Sequence, residues 1–159
     1  MKVFNAGGLV IGALLLWGCN AVVPNSGVDL NEENFKFDTP EFFVASVGDR
    51  VLFEVDQTTL SPEAMSILDA QAGWMAQNTE ATALIEGHAD EQGTREYNLA
   101  LGARRASAVQ NYLVSQGVAD NRLRTVTYGK ERPIEICSTE TCWSKNRRAV
   151  TIVSVTGSS

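Results

Sequence analysis

Residues 87–113 read GHADEQGTREYNLALGARRASAVQNYL. The run before them, ATALIEG over 81–87, has the apolar character of a buried strand. His88, Asp90 and Gly93 then fall in a short polar loop, where glycine permits a tight or left-handed turn. The pattern that follows predicts a long amphipathic helix over 95–116, stopped by Gly117. On a helical wheel Tyr97, Leu101, Ala108 and Tyr112 share one seam. Arg105 falls on that seam, while Arg104 points elsewhere. A guanidinium keeps its charge in any protein environment, so an arginine on an apolar stripe needs an anion. The nearest candidate by topology is Asp90. From position alone, an internal Asp90–Arg105 ion pair that pins loop to helix is the simpler reading.

Upstream, PEFFVASVGDRVLFEVD (40–56) alternates twice, through Phe43, Ala45 and Val47 and through Val51, Phe53 and Val55. Gly48-Asp49 supplies turn chemistry between the two runs. The segment predicts a hairpin or two short strands. Ser61-Pro62-Glu63 then starts a helix, with serine as N-cap and proline in the first turn. Its buried face runs through Met65, Leu68, Ala72 and Met75. Residues 122–129 and 147–155 read as the last two strands. The order β-α-β-α-β-β predicts an α+β two-layer sandwich, with helices packed on one face of a mixed sheet.

The N-terminus carries Lys2 and then an apolar run from Leu9 to Trp17, too short for a comfortable transmembrane helix. It ends in Leu16-Trp17-Gly18-Cys19, which looks like a bacterial lipobox with a bulky residue at its third-last position. Residues 1–18 are then a lipoprotein signal peptide. Cleavage before Cys19 would expose a thiol for thioether lipidation. Residues 19–40 form a polar tether of ~70 Å when fully extended. The globular domain spans 41–155, and 156–159 are a tail. The formal charge of −6 becomes −7 once Lys2 leaves with the signal, and no basic stripe is present, so nucleic acid is excluded as a partner.

The pattern G-H-x-D-x-x-G-x-x-x-Y-N-x-x-L-x-x-R-R-A, with SKNRRAVTIV (144–153) near the C-terminus, resembles the OmpA-like peptidoglycan-binding domain. Within that family it is similar to the peptidoglycan-associated lipoproteins of Gram-negative bacteria. The resemblance covers roughly residues 41–155. It implies an OmpA-like fold and a role as an outer-membrane lipoprotein that holds the membrane to the cell wall without catalysis. It also implies membership of the Tol–Pal system of envelope integrity and division, with the TolB-type periplasmic β-propeller and other Tol components as partners. Asn20, where aspartate would favour retention at the inner membrane, fits the outer membrane.

In this family an aspartate and an arginine at the positions of Asp90 and Arg105 grip the diaminopimelate of the stem peptide. The chemistry suits them. Diaminopimelate ends in an ammonium and a carboxylate on one carbon, which match a carboxylate and a guanidinium fork. Several neighbours are supporting candidates, each with a plainer reading beside it. Asn98 bonds either loop carbonyls or ligand backbone. Asp56 and Thr58, with Gln57, line the cleft or cap a turn. Arg147, or its neighbour Arg148, buttresses the cleft or faces solvent. His88 is the only histidine. One imidazole among carboxylates makes neither a metal site nor a hydrolase, so no metal, cofactor or catalytic residue is expected. The competing expectations are a wall-binding lipoprotein with no Tol link and a wall-cleaving enzyme.

In an oxidising periplasm, Cys137 and Cys142 in the loop before the last strand are expected to form a disulfide. Two free thiols are the alternative. The bridge lies in a different loop from Asp90, so its loss is expected to leave the wall site intact.

Overall fold

The computed structural model describes residues 37–155. Cys19, most of the tether and the C-terminal tail lie outside them. The first helix among the described residues is α1 (Pro40–Phe42), continued by a π-turn over Phe43–Val47. Strand β1 (Arg50–Leu52), helix α2 (Pro62–Gln77) and strand β2 (Ala81–His88) follow. Then come the long helix α3 (Arg95–Ser115), strand β3 (Leu123–Gly129), helix α4 (Glu140–Asn146) and strand β4 (Arg148–Val155).

The four strands form one mixed sheet in the order β1-β4-β2-β3. β2 and β3 run parallel, joined through α3, whereas β4 is antiparallel to both β1 and β2. The α+β expectation holds. Leu68 and Met75 of α2, Ile85 of β2, and Val109 and Leu113 of α3 are all fully buried in one core. Each such side chain contributes about 1.5–3 kcal/mol.

Helix α3 lies very close to the sheet. A Cβ on Gly87 would sit 1.8 Å from the carbonyl oxygen of Gly102, and one on Gly102 would meet Thr127 Oγ1 at 2.5 Å. Two glycines facing each other let helix and strand backbones touch. Thr127 Oγ1 completes the contact by donating to the Leu99 carbonyl at 2.9 Å.

Ser61 caps α2 as expected, its hydroxyl accepting from Ala64 N at 3.1 Å. The expected strand over 41–47 is instead helical. Thr39-Pro40-Glu41 repeats the start signal of Ser61-Pro62-Glu63, and Thr39 Oγ1 accepts from Phe42 N at 3.2 Å. Phe43 then drops into the core edge-on to Trp74, ring centroids 4.9 Å apart. Packing begins inside the segment assigned to the tether, because Trp74 Nε1 donates to the Phe37 carbonyl at 2.8 Å. β1 is shorter than expected. Val51 and Phe53 are buried, but Val55 is exposed where the chain turns.

The seam of α3 is also rotated. Its buried face is Asn98, Leu101, Gly102, Arg105, Ala106, Val109 and Leu113. Tyr97 is exposed, and Tyr112 reaches out to donate to Asp69. The wheel found Leu101 and Arg105 but centred the stripe on the tyrosines, whose rings lie at its border. Finally, the segment before β4, expected as a loop, holds helix α4.

Candidate ligand site at the end of strand β2

Three segments meet where β2 ends: the loop 89–94, the turn 54–58, and α4 with the start of β4. Gly93 takes φ +85°, and Thr94 caps α3 by accepting from Tyr97 N. Asn98, fully buried in the first turn of α3, donates to the Gln92 carbonyl at 2.6 Å. It thus closes the loop onto the helix, which is its structural role. Lys130 clasps the loop from outside through the carbonyls of Gly93 and Glu91.

Asp90 is 8% exposed. Its Oδ1 accepts from Gln92 N at 3.1 Å, and its Oδ2 accepts from Arg147 Nη1 at 3.3 Å. Among the described residues, its ion-pair partner is therefore Arg147 and not Arg105. Arg147 is 3% exposed, which removes the solvent-facing alternative. Its Nε donates to the Phe53 carbonyl at 3.0 Å. Both its Nη atoms also donate to Glu140. That pairing, first with Glu140 and then with Asp90, raises the Arg147 pKa against the cost of burial.

Arg105 has no exposed surface. Nε donates to the Gln57 carbonyl at 2.9 Å, Nη1 to the His88 carbonyl at 2.9 Å, and Nη2 to the Glu54 carbonyl at 3.1 Å. Its guanidinium also lies over the Phe53 ring, 5.1 Å from the centroid. Burial pushes its pKa down to about 10, and Asp90 opposes that fall. Arg105 is still charged at neutral pH. Its first partners are carbonyl dipoles, which a wheel cannot display.

The turn under Arg105 carries Asp56 and Thr58. Asp56 sits at φ +54°, an uncommon conformation for a residue with a side chain, and accepts from Tyr97 Oη at 3.2 Å. Thr58, two residues on, is partly buried. Asp56 thus ties the turn to α3, and its charge acts on the buried Arg105.

His88 contributes its carbonyl, not its imidazole. The ring is 1% exposed, tilted against Tyr128, with Nε2 3.5 Å from Glu86. Neither ring nitrogen has a hydrogen bond in the protein. Burial, aided by the positive charges of Arg148 and Arg132, lowers its pKa to about 4. No group of three or more metal-ligating side chains occurs among the described residues.

Cys137 and Cys142 form a disulfide with Cα atoms 5.7 Å apart. The bridge ties the start of its loop to α4, which carries Glu140. It lies in a separate loop from Asp90, as expected, but α4 links it to Asp90 through Glu140 and Arg147. Ser138 and then Trp143 also hold the Glu91 carboxyl below its usual range, although the Trp143 indole N–H lies outside hydrogen-bonding geometry. Glu140 is the member that sequence reasoning missed. Its one legible signal was its place right after Thr139, a residue type that starts helices.

The family model for the OmpA family matches residues 52–147. The chain belongs to the OmpA family. Its relatives include the peptidoglycan-associated lipoprotein of Mesorhizobium japonicum, 46% identical over 94% of this chain and 91% of that protein. The peptidoglycan-associated lipoprotein of Rhizobium meliloti is 47% identical over 94% of this chain and 87% of that one. Among solved structures, the peptidoglycan-associated lipoprotein from Burkholderia pseudomallei superposes with a TM-score of 0.69 at 34% identity. It covers 73% of this chain and 100% of that one. The C-terminal domain of Helicobacter pylori MotB shares the fold at 22% identity, with a TM-score of 0.64 over 69% of this chain and 86% of that one. All the residues of the Asp90 site lie inside the matched region of this OmpA-family chain.

Proposed function

We propose that this OmpA-family chain is a lipid-anchored outer-membrane protein whose periplasmic domain binds peptidoglycan non-covalently and so tethers membrane to wall. The names of its relatives support wall association and lipidation. Among the described residues no helix is long and apolar enough to cross a membrane. Lipid on Cys19 would supply the anchor, and residues 20–36 the reach. Membership of the Tol–Pal system, with a TolB-type β-propeller as protein partner, is the accompanying proposal.

The observation that carries the reading is Asp90. It is a nearly buried carboxylate with one long contact to Arg147, and its charge also reaches the buried Arg105. A carboxylate offers about four acceptor sites, and two are used here. The distal ammonium of diaminopimelate would take the remainder. Its carboxylate would address Arg105, which keeps one free N–H on each Nη after serving three carbonyls. Because Arg105 is enclosed, the turn 54–58 has to lift for that contact. Lifting it breaks the Arg105 bonds to the Glu54 and Gln57 carbonyls, a cost that the bidentate ligand carboxylate would offset at the guanidinium. The site binds and holds. Its carboxylates have assigned partners, and the role proposed for it needs no nucleophile or base.

Co-sedimentation with purified sacculi tests the proposal. The protein should pellet with diaminopimelate-type sacculi and much less with lysine-type sacculi, which lack the distal carboxylate. Equal pelleting with both would remove diaminopimelate as the determinant.

A further inference from the structure

Arg147 is shared unequally between two carboxylates. Both of its Nη atoms donate to Glu140, whereas Asp90 receives Nη1 alone at 3.3 Å. The planar fork of a guanidinium is strongest when both arms serve one carboxylate, and here that carboxylate is Glu140. Its side chain is 61% exposed, so Glu140 is held there by the pair and by α4, not by burial.

Helix α4 is itself pinned. Cys142 is buried and bonded to Cys137. Asn146 at its end accepts from Ile134 N and Glu135 N and donates to the Glu135 carbonyl. Lys145 pairs with Glu135. A seven-residue helix with these ties presents Glu140 to Arg147 in a fixed place.

We propose that Glu140 is a positioning residue for wall binding: it keeps the second arm of the Arg147 fork off Asp90, leaving the unused acceptor sites of Asp90 to a ligand ammonium. The inference rests on the wall-binding reading above. Without the Glu140 charge, Arg147 is drawn onto Asp90 in bidentate fashion, and the ammonium must displace it. The effect runs through Asp90, so it touches the ammonium end of the ligand and not the carboxylate end.

The test is equilibrium binding of the full chain in detergent to two stem tripeptides, one ending in diaminopimelate and one in lysine. Both peptides carry the ammonium. Glu140→Gln should weaken both by the same factor, roughly tenfold. Glu140→Asp should recover most of the loss. With Asp90→Asn already present, adding Glu140→Gln should change binding less than twofold. Melting temperatures of all variants are measured alongside, since a merely structural role would lower them and act on binding through the folded fraction. Two results would overturn the inference while sparing the function: Glu140→Gln binding like wild type, or the same loss in the Asp90→Asn background as in wild type. Failure of the wild type to bind either peptide would instead overturn the wall-binding reading, and this inference with it.

Discussion

Arg105 Nη1 donates to the His88 carbonyl at 2.9 Å, which fastens the middle of α3 to the last residue of β2. With the bonds to Glu54 and Gln57, one buried side chain ties helix, strand end and turn together. Arg105→Ala would leave three carbonyls wholly or partly unsatisfied. At ~1–3 kcal/mol for each, with some recovery from entering water, the loss should be about 3–5 kcal/mol. Arg105→Lys should recover little, because one ammonium cannot span three diverging carbonyls. The denaturant midpoint of each variant checks this. An unchanged midpoint for Arg105→Ala would show that the carbonyl cradle contributes no stability.

The glycine pair beneath α3 makes a second case. Gly87→Ala places a Cβ within 1.8 Å of the Gly102 backbone, so helix and strand must separate. Overpacking of this kind costs about 1–3 kcal/mol or more. Gly73→Ala on α2 has nothing within 4 Å of the new Cβ. It should stabilise by roughly 0.5–1 kcal/mol through helix propensity. Opposite signs in the two melting temperatures are the expected outcome. Tolerance of alanine at Gly87 would show that the helix adjusts without cost.

Acid should weaken the fold through His88. In the folded chain its pKa lies near 4, against 6.5 for the free group. Between those values the unfolded chain binds a proton that the folded chain refuses. Stability therefore falls as pH drops from about 6.5 towards 4, by at most ~3 kcal/mol. His88→Gln removes the titration, so its melting temperature should fall less between pH 7 and pH 5. Parallel curves for the two proteins would assign the acid sensitivity to other groups.

Much of this was legible in the sequence because the long elements obey simple periods. Apolar pattern and the Gly117 stop alone place the strand at 81–87 and the helix at 95–116, each within one residue of the observed bounds. The segment 41–47 is misleading because Phe43 and Val47, four apart, fit one helix face as well as a strand, and Thr39-Pro40-Glu41 is the start signal that decides between them. The pairing inside the site failed for a different reason. Asp90 and Arg147 come together only when β4 is laid beside β2, and nothing local encodes that neighbour. The motif marked Asp90 and Arg105 as important. It could not say that carbonyls already claim Arg105.

The disulfide should contribute more than a clip on a loop. Oxidised protein should be about 2 Da lighter than the dithiol, as loss of two hydrogens requires. Cys137→Ser with Cys142→Ser should cost about 2 kcal/mol of stability for so short a loop. It should also weaken wall binding, since α4 holds Glu140 against Arg147. Sacculus binding at a temperature where the variant is fully folded separates the two effects. Binding equal to wild type would show that α4 keeps its place without the bridge.

The anchor is tested apart from the domain. Cys19→Ser removes the thiol that lipidation requires, so fatty-acid labelling and outer-membrane fractionation should both be lost. Undiminished labelling would exclude Cys19 as the site.

Asp90 carries the central claim, and it can be altered with far less damage than Arg105. Asp90→Asn keeps the shape and an acceptor for Gln92 N while deleting the charge that would meet the ligand ammonium. The most direct measurement is the affinity of this variant for diaminopimelate-type sacculi, with its melting temperature taken on the same sample. The account predicts a folded protein whose binding falls by more than tenfold, since the lost charge pair is worth about 2–5 kcal/mol. A folded Asp90→Asn variant that binds these sacculi as wild type does would contradict it.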